Sequence, residues 1–210
     1  MPDKIAMRLG SLILTGGRSV RMGRPKESLP FRGETMLART VATLSRCTDA
    51  VVVAARVDQT LPALPPGVAR VDDEQPGDGP LAAIRGGLRF LLGRNGLERT
   101  DAAFVTGNDM PFLTSTVVEF LRDRLGDARL AIPRVGGVLQ PLCAVWRLDT
   151  VDAIDALLRD GVRTPRRVAD TVAAHVVGED ELRAVDPELR AFANVNSPAD
   201  YERALADGEP

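Results

Sequence analysis

The chain has 210 residues, 44% of them hydrophobic, and a net charge of −2 from 27 basic and 29 acidic side chains; this suits one domain with a sizeable core and excludes a disordered chain. A slightly acidic balance argues against a general nucleic-acid binder, and no apolar run approaches the ~20 residues of a membrane helix, so neither nucleic acid nor membrane is an expected partner. Two cysteines, Cys47 and Cys143, are too few for a disulfide framework or a zinc site and read as packing residues; with no apolar leader at the start, the expected location is the cytoplasm.

In chain order, residues 8–14 read as a strand ending at the pair Gly16–Gly17. A helix is expected over 35–45, with Met36, Leu37, Val41 and Leu44 on one face, and a buried β-branched strand over 50–54. A proline-rich connection, 61–67, leads to the apolar segment 68–71 and the acidic pair Asp72–Asp73. Residues 80–92 carry Leu81, Ile84, Leu88 and Leu91 at helical spacing, with Pro80 suited to the first turn. A strand over 102–105, a helix over 115–125 capped by Thr114 or Ser115, strands over 130–133 and 142–147, and helices over 149–158 and 198–206 complete the pattern. His175 reads as a strand residue with a structural hydrogen bond. Such alternation predicts an α/β layered domain with a mostly parallel sheet, whose ligands bind at the carboxyl ends of the strands. The glycine pair, Asp72–Asp73 and Asp109 each follow an expected strand, so they should share one rim.

The most informative stretch is LILTGGRSVRMGRPK, residues 12–26. Gly16 and Gly17 allow positive φ and close approach of the backbone to an anion, and consecutive N–H groups can cradle phosphate. Arg18, Arg21 and Arg24 add charge. Of the 27 basic residues only Lys4 and Lys26 are lysines, so the compact ammonium of Lys26 stands out in an arginine-rich chain. The whole segment reads as a phosphate-handling loop for a nucleoside triphosphate, where the glycine pair alone would read as a tight turn. The spacing of Gly17 and Gly23 and the Glu27 after Lys26 depart from the P-loop pattern, and the dinucleotide fingerprint is absent.

Asp109, held between Gly107 and Pro111 just past a strand, is the metal candidate; the plain alternative is an Asp that caps the turn before Thr114. Mg²⁺ takes few protein carboxylates and completes its shell with water and substrate phosphates, so one Asp beside a triphosphate loop suffices. Asp73 reads either as a nucleotide or metal contact, with Gly79 allowing close approach, or as part of a solvated loop in which Asp72, Glu74 and Asp78 are surface charges. With one histidine in the chain, no Ser-His or Cys-His machinery is available, and an ionised phosphate acceptor would need no general base. Arg166 and Arg167 read as a solvated helix start or as contacts to an acceptor phosphate.

Taken in order, residues 12–26, Asp73 with Gly79-Pro80-Leu81, Asp109-Met-Pro, Gln140-Pro141-Leu142 and Asn194-Val-Asn196-Ser-Pro-x-Asp200 resemble the molybdenum cofactor guanylyltransferases, a branch of the nucleotidyltransferase superfamily, over nearly the whole chain. The resemblance implies a three-layer Rossmann-like fold in a single domain, 1–210, with an N-terminal nucleotide half and a C-terminal acceptor half. It implies transfer of GMP from GTP to molybdopterin with release of pyrophosphate, Mg²⁺ as cofactor, and a molybdoenzyme or insertion factor as possible partner. Leu14, Thr15, Gly16 and Gly17 would meet the nucleotide, the first three through their backbone. Lys26 would bind the triphosphate with Arg21 assisting, Asp73 would contact the nucleotide and Asp109 would hold the metal. Gln140, Pro141, Asn194 and Asn196 would form the acceptor side. Two departures stand out: Thr15 replaces the usual alanine, and Ala54–Ala55 stands where many members carry asparagine. The paired glycines suit the guanylyl rather than the cytidylyl branch. Alternatives are a relative using CTP or a sugar or polyol phosphate, and a non-catalytic nucleotide-binding partner of a molybdoenzyme.

Overall fold

Residues 7–15, 25–73 and 79–207 are described by the structure, a computed structural model. In chain order the strands and helices are β1 (Leu9–Leu14), a hairpin of β2 (Pro30–Phe31) and β3 (Glu34–Thr35), α1 (Met36–Ser45), β4 (Ala50–Arg56), β5 (Ala69–Asp73), α2 (Pro80–Leu91), β6 (Ala102–Gly107), α3 (Ser115–Asp123), β7 (Leu130–Val135), β8 (Val138–Leu139), β9 (Cys143–Arg147), α4 (Val151–Arg159), β10 (Ala174–Val177), α5 (Glu179–Leu182) and α6 (Pro198–Ala206). The main sheet runs β10-β7-β9-β6-β1-β4-β5, with β8 appended to β7. Pairs β1–β4, β1–β6, β4–β5 and β7–β10 are parallel, while β9 lies antiparallel to β6 and β7 and the short β8 antiparallel to β7, so the expected mostly parallel sheet holds with two reversed strands.

The central strands are buried on both faces because helices cover both, which is why they read as apolar runs rather than alternating ones. One face packs Leu37, Val41 and Leu44 of α1 and Val117, Val118 and Leu121 of α3 against Ile13, Val53 and Phe104. The other packs Leu81, Ile84, Leu88 and Leu91 of α2 with Val151 and Ile154 of α4 against Leu12, Val52 and Val105. This gives the three layers. α2 approaches β1 so closely that a Cβ on Gly87 would fall 2.3 Å from the Leu12 side chain. Among the described residues no helix is long and apolar enough to cross a membrane.

Local signals explain most boundaries. Thr35 and Thr114 cap α1 and α3 by accepting from the N–H groups of Ala38 and Val117. Several expected ends shift. β4 and β6 each run two residues further than the β-branched pattern indicates. Asp72 and Asp73 lie inside β5, paired with Ala55 and Arg56, because the backbone ladder to β4 outweighs the poor strand propensity of aspartate at a sheet edge. Residues Leu148–Thr150 form a 3₁₀ turn before α4, and α3 ends at Asp123. The hairpin β2–β3 turns through Arg32 and Gly33, φ 52° and 89°, the positive pair that a tight two-residue hairpin needs.

The chain leaves β1 toward β4 on one side and leaves β6 toward β7 on the other. The carboxyl ends of β1 and β6, adjacent with Leu14 opposite Gly107, therefore form the switch point where an open α/β sheet offers a crevice.

Candidate active site

Three strand ends put the polar residues on that rim. Thr15 follows β1, Asp73 closes β5 and Asp109 lies two residues beyond β6. β5 and β6 are three strand spacings apart, about 14 Å, so the rim is long enough for an extended ligand rather than a single ion.

Lys26 opens a 3₁₀ turn, Lys26–Ser28, and reaches across to Asp109 Oδ2 at 3.3 Å and to Asn196 Oδ1 at 2.8 Å. These three come from positions far apart in sequence, and a small apolar cluster holds them together. Leu29, three residues after Lys26, packs with Phe112, three after Asp109, and with Val195, immediately before Asn196; Phe31, Met36 and Ala204 complete the cluster. Phe31 and Phe112 meet edge to face with centroids 5.9 Å apart, and the guanidinium groups of Arg39 and Arg190 lie over their rings. The Asp109 carbonyl accepts from the N–H of Val195 at 2.8 Å, which fixes the C-terminal segment against the β6 rim. Asn196 is aimed by the cap of α6: Asp200 Oδ2 accepts from the N–H groups of Asn196 and Ser197, and Ser197 Oγ accepts from the Asp200 N–H. The hydrogen bond from the Ser197 hydroxyl, followed by that from the Asn196 N–H, holds the Asp200 carboxyl below its ordinary range. The sequence carries this box as Ser197-x-x-Asp200, and reading it would have placed Asn196 at a helix entry.

The residues expected on the acceptor side also reach this rim. The Leu142 carbonyl accepts from the Gly107 N–H at 3.3 Å, bringing Gln140 and Pro141 beside β6; the buried Trp146 donates its indole N–H to the Pro141 carbonyl. Gln140 is half-buried, and Asn194 and Asn196 are exposed. On the nucleotide side, Leu14 is buried and paired with Ala54 and Gly107. The Thr15 N–H donates to the Ala54 carbonyl at 3.0 Å and its own carbonyl accepts from Gln59, so both backbone groups already have partners. Gly16, Gly17 and Arg21 lie outside the described residues.

A cleft of about 290 Å³ opens between the β4–β5 edge and α2, lined by Ala54, Val71, Asp73, Ala82, Gly86 and Phe90. Gly79 enters α2 at φ 79° and ψ 179°, a conformation essentially reserved for glycine, with the Arg163 carbonyl 3.6 Å from where a Cβ would stand. No side chain caps α2, so its first-turn N–H groups face the same rim.

The metal candidate fits its role. A Cβ on Gly107 would fall 2.5 Å from Asp109 Oδ1, so the bare glycine makes room for the carboxylate. Asp109 stays partly exposed, 26% for the side chain, with one cationic neighbour in Lys26. Among the described residues no group of three or more His, Cys, Asp or Glu could hold an ion by itself. A single carboxylate suits Mg²⁺ delivered with a triphosphate. The cysteines behave as expected: burial pushes the Cys47 thiol up to about 11 and raises that of the fully buried Cys143 as well. His175 does lie in β10, but its side chain is exposed and makes no hydrogen bond among the described residues, because β10 is an edge strand.

The match to known proteins follows this layout. A family model described as a MobA-like NTP transferase domain covers residues 11–176. The chain belongs to the MobA-like NTP transferase family. It is therefore a nucleotidyltransferase. A Mycobacterium tuberculosis relative named "probable molybdenum cofactor guanylyltransferase" is 37% identical over 99% of this chain and 97% of its own length. A Methanosarcina acetivorans relative with the same name is 34% identical over 93% of this chain and 89% of its own. The structure of molybdopterin-guanine dinucleotide biosynthesis protein A from Archaeoglobus fulgidus shares the fold at a TM-score of 0.75 and 22% identity, covering 94% and 97% of the two chains. A Mycobacterium tuberculosis protein solved in complex with manganese shares it at a TM-score of 0.61 and 16% identity, covering 96% and 100%.

Proposed function

We propose that this family member transfers GMP from GTP to molybdopterin and releases pyrophosphate. One observation carries the reading: Lys26 joins the nucleotide rim, through Asp109, to the acceptor face, through Asn196, in a single contact set. The names of the relatives supply the substrates.

In this reading the base and ribose enter the cleft at Ala54, Asp73 and Ala82, beside Leu14 and Thr15 at the end of the neighbouring strand β1. Gly16 and Gly17 admit the phosphates and Arg21 braces them. Lys26 exchanges its 3.3 Å contact with Asp109 for the triphosphate, a small loss because an ion pair between partly exposed groups is worth about 0–1 kcal/mol. Asp109 holds Mg²⁺, which when bound neutralises phosphate charge. Gln140, Pro141, Asn194 and Asn196 position the acceptor so that its terminal phosphate oxygen faces the α-phosphorus of GTP. That oxygen forms the new P–O bond as the bond from the α-phosphorus to the bridging oxygen breaks, and pyrophosphate leaves with the electron pair. The attacking phosphate is already ionised, so no protein base is required. The reaction takes place in the cytoplasm, and the product passes to a molybdoenzyme or an insertion factor.

The test is pyrophosphate release from GTP with Mg²⁺ and molybdopterin. Release that requires both substrates, and that Asp109→Asn lowers at least about tenfold with loss of the Mg²⁺ dependence, supports the reading. Release with CTP, or with a sugar phosphate in place of molybdopterin, assigns the chain another substrate. An Asp109→Asn variant with an unchanged Mg²⁺ titration removes Asp109 as the metal ligand.

A further inference from the structure

Three buried polar side chains take no part in that chemistry. Thr15, Gln59 and Glu27 are only 4%, 6% and 5% exposed. Gln59 lies in the connection after β4, and its amide is fully used. Nε2 donates to Glu27 Oε1 at 2.7 Å and to the Thr15 carbonyl at 3.1 Å; Oε1 accepts from the Arg56 N–H at 3.2 Å and lies 3.4 Å from Thr15 Oγ1. Thr15 Oγ1 donates in turn to the Ala54 carbonyl at 2.8 Å. Acceptors at Nε2 and a backbone donor at Oε1 fix the orientation of the amide. Thr15 and Glu27 flank the glycine- and arginine-rich segment 16–24, so one side chain grips both of its roots.

We propose that Gln59 is a positioning residue, a clasp that ties Thr15 to Glu27 and so sets the phosphate-handling segment and the adjacent Lys26. The kinetic part of this inference rests on the nucleotidyl-transfer reading; the clasp itself does not. Burying a carboxylate is costly unless it is hydrogen-bonded, so a Glu27 serving only to fill space would be a poor choice against an apolar residue. A buried hydrogen-bonded network instead favours one arrangement of the segments it joins. Fixing where a connecting segment leaves and rejoins the fold removes loop-closure entropy that a ligand would otherwise have to overcome. Lys26 is bonded to Glu27, and small misplacements of a charge-stabilising group carry large rate penalties. Thr15, where alanine is usual in the resembling family, adds a hydroxyl that donates to the Ala54 carbonyl beside the amide.

Two measurements on the full chain test this. The first needs no nucleotide: trypsin cleavage after Arg18 and Arg21, mapped by mass spectrometry. Gln59→Met, similar in size and lacking the amide, should be cleaved at least about tenfold faster than the native protein, since one hydrogen bond alone is worth about that factor and the variant loses all three of the amide's. Glu27→Gln keeps an acceptor oxygen for Gln59 and should stay within about twofold of native. Equal cleavage of Gln59→Met and native protein overturns the clasp. The second is titration of GTP with Mg²⁺. Gln59→Met should weaken binding about tenfold while Glu27→Gln retains it. Native affinity in a Gln59→Met protein that is cleaved faster overturns the positioning role and leaves the functional reading intact. A native protein that binds no nucleoside triphosphate removes both, with the cleavage rates still deciding whether the clasp exists. If Gln59→Met does not fold, Gln59→Asn, one methylene short of both partners, carries the same comparison.

Discussion

The nucleotide rim and the acceptor face meet at Lys26 but are built differently. The rim grows from strand ends anchored in the two main cores, and its polar residues Thr15, Gln59 and Glu27 are buried and joined through the Gln59 amide. The expected acceptor face is made of two irregular segments: the one around Asn196 is tied to Asp109 by one backbone bond and rests on a small separate cluster, while the one around Gln140 joins β8 to β9, with its flanking Leu139 and Leu142 packed against a main core. The Asn194 and Asn196 side chains stand in solvent. In the proposed reaction the difference would fit the tasks: a triphosphate is the same in every turnover and rewards a preset cradle, whereas a large acceptor must enter and its product leave.

The sharpest way to break this picture is to remove the group the two regions share. Lys26→Ala should lower kcat/KM by about 10²–10³-fold with an unchanged far-ultraviolet spectrum, the scale of removing one charge-stabilising donor. Lys26→Arg should recover little, because a planar fork does not replace a point charge at this spot. Near-native turnover in either variant would take Lys26 out of the mechanism. Next in size, Phe112→Ala opens the small cluster beneath all three residues and should cost about 3–5 kcal/mol in a denaturant titration. A loss below ~1 kcal/mol would mean that the cluster does not hold the site together.

Asn196→Ala separates the regions. It should raise the acceptor KM about tenfold, the scale of one hydrogen bond, while GTP affinity stays within about twofold. Equal losses on both substrates would show that the two regions are not separable. The smallest effect belongs to the α6 cap: Ser197→Ala should cost about 1 kcal/mol. The cap has a pH signature too. The folded Asp200 carboxyl titrates below its ordinary value, so its contribution is present above that value and is lost as pH falls through the lowered one. Acid unfolding followed at α6 should show this in the native protein and more weakly in Ser197→Ala, which keeps the backbone bonds from Asn196 and Ser197.

Much of this was legible in the sequence, and the exceptions have physical causes. The helical spacing in Leu81–Leu91 and the capping threonines sat in local pattern, so the elements and the shared rim followed from them. Asp73 was misplaced by one step of logic: edge-strand pairing, a non-local effect, drew it into β5. Lys26 and Asp109 could be picked out by residue type, and Asn196 through the family resemblance, but their meeting depends on the Leu29–Phe112–Val195 cluster, which joins residues that no local window contains. The clasp was hidden for the same reason. Gln59 stands in an unremarkable connection, and Glu27 registered only as a departure from the P-loop pattern, although a carboxylate directly after the phosphate lysine was a usable signal.

The central claim is that the rim is a guanosine triphosphate site worked by Lys26, and calorimetric titration of GTP, CTP and ATP with Mg²⁺ tests it most directly. The account predicts selective GTP binding by the native protein and at least tenfold weaker binding by Lys26→Ala. Preference for CTP or ATP, or equal GTP affinity in the two proteins, would contradict it.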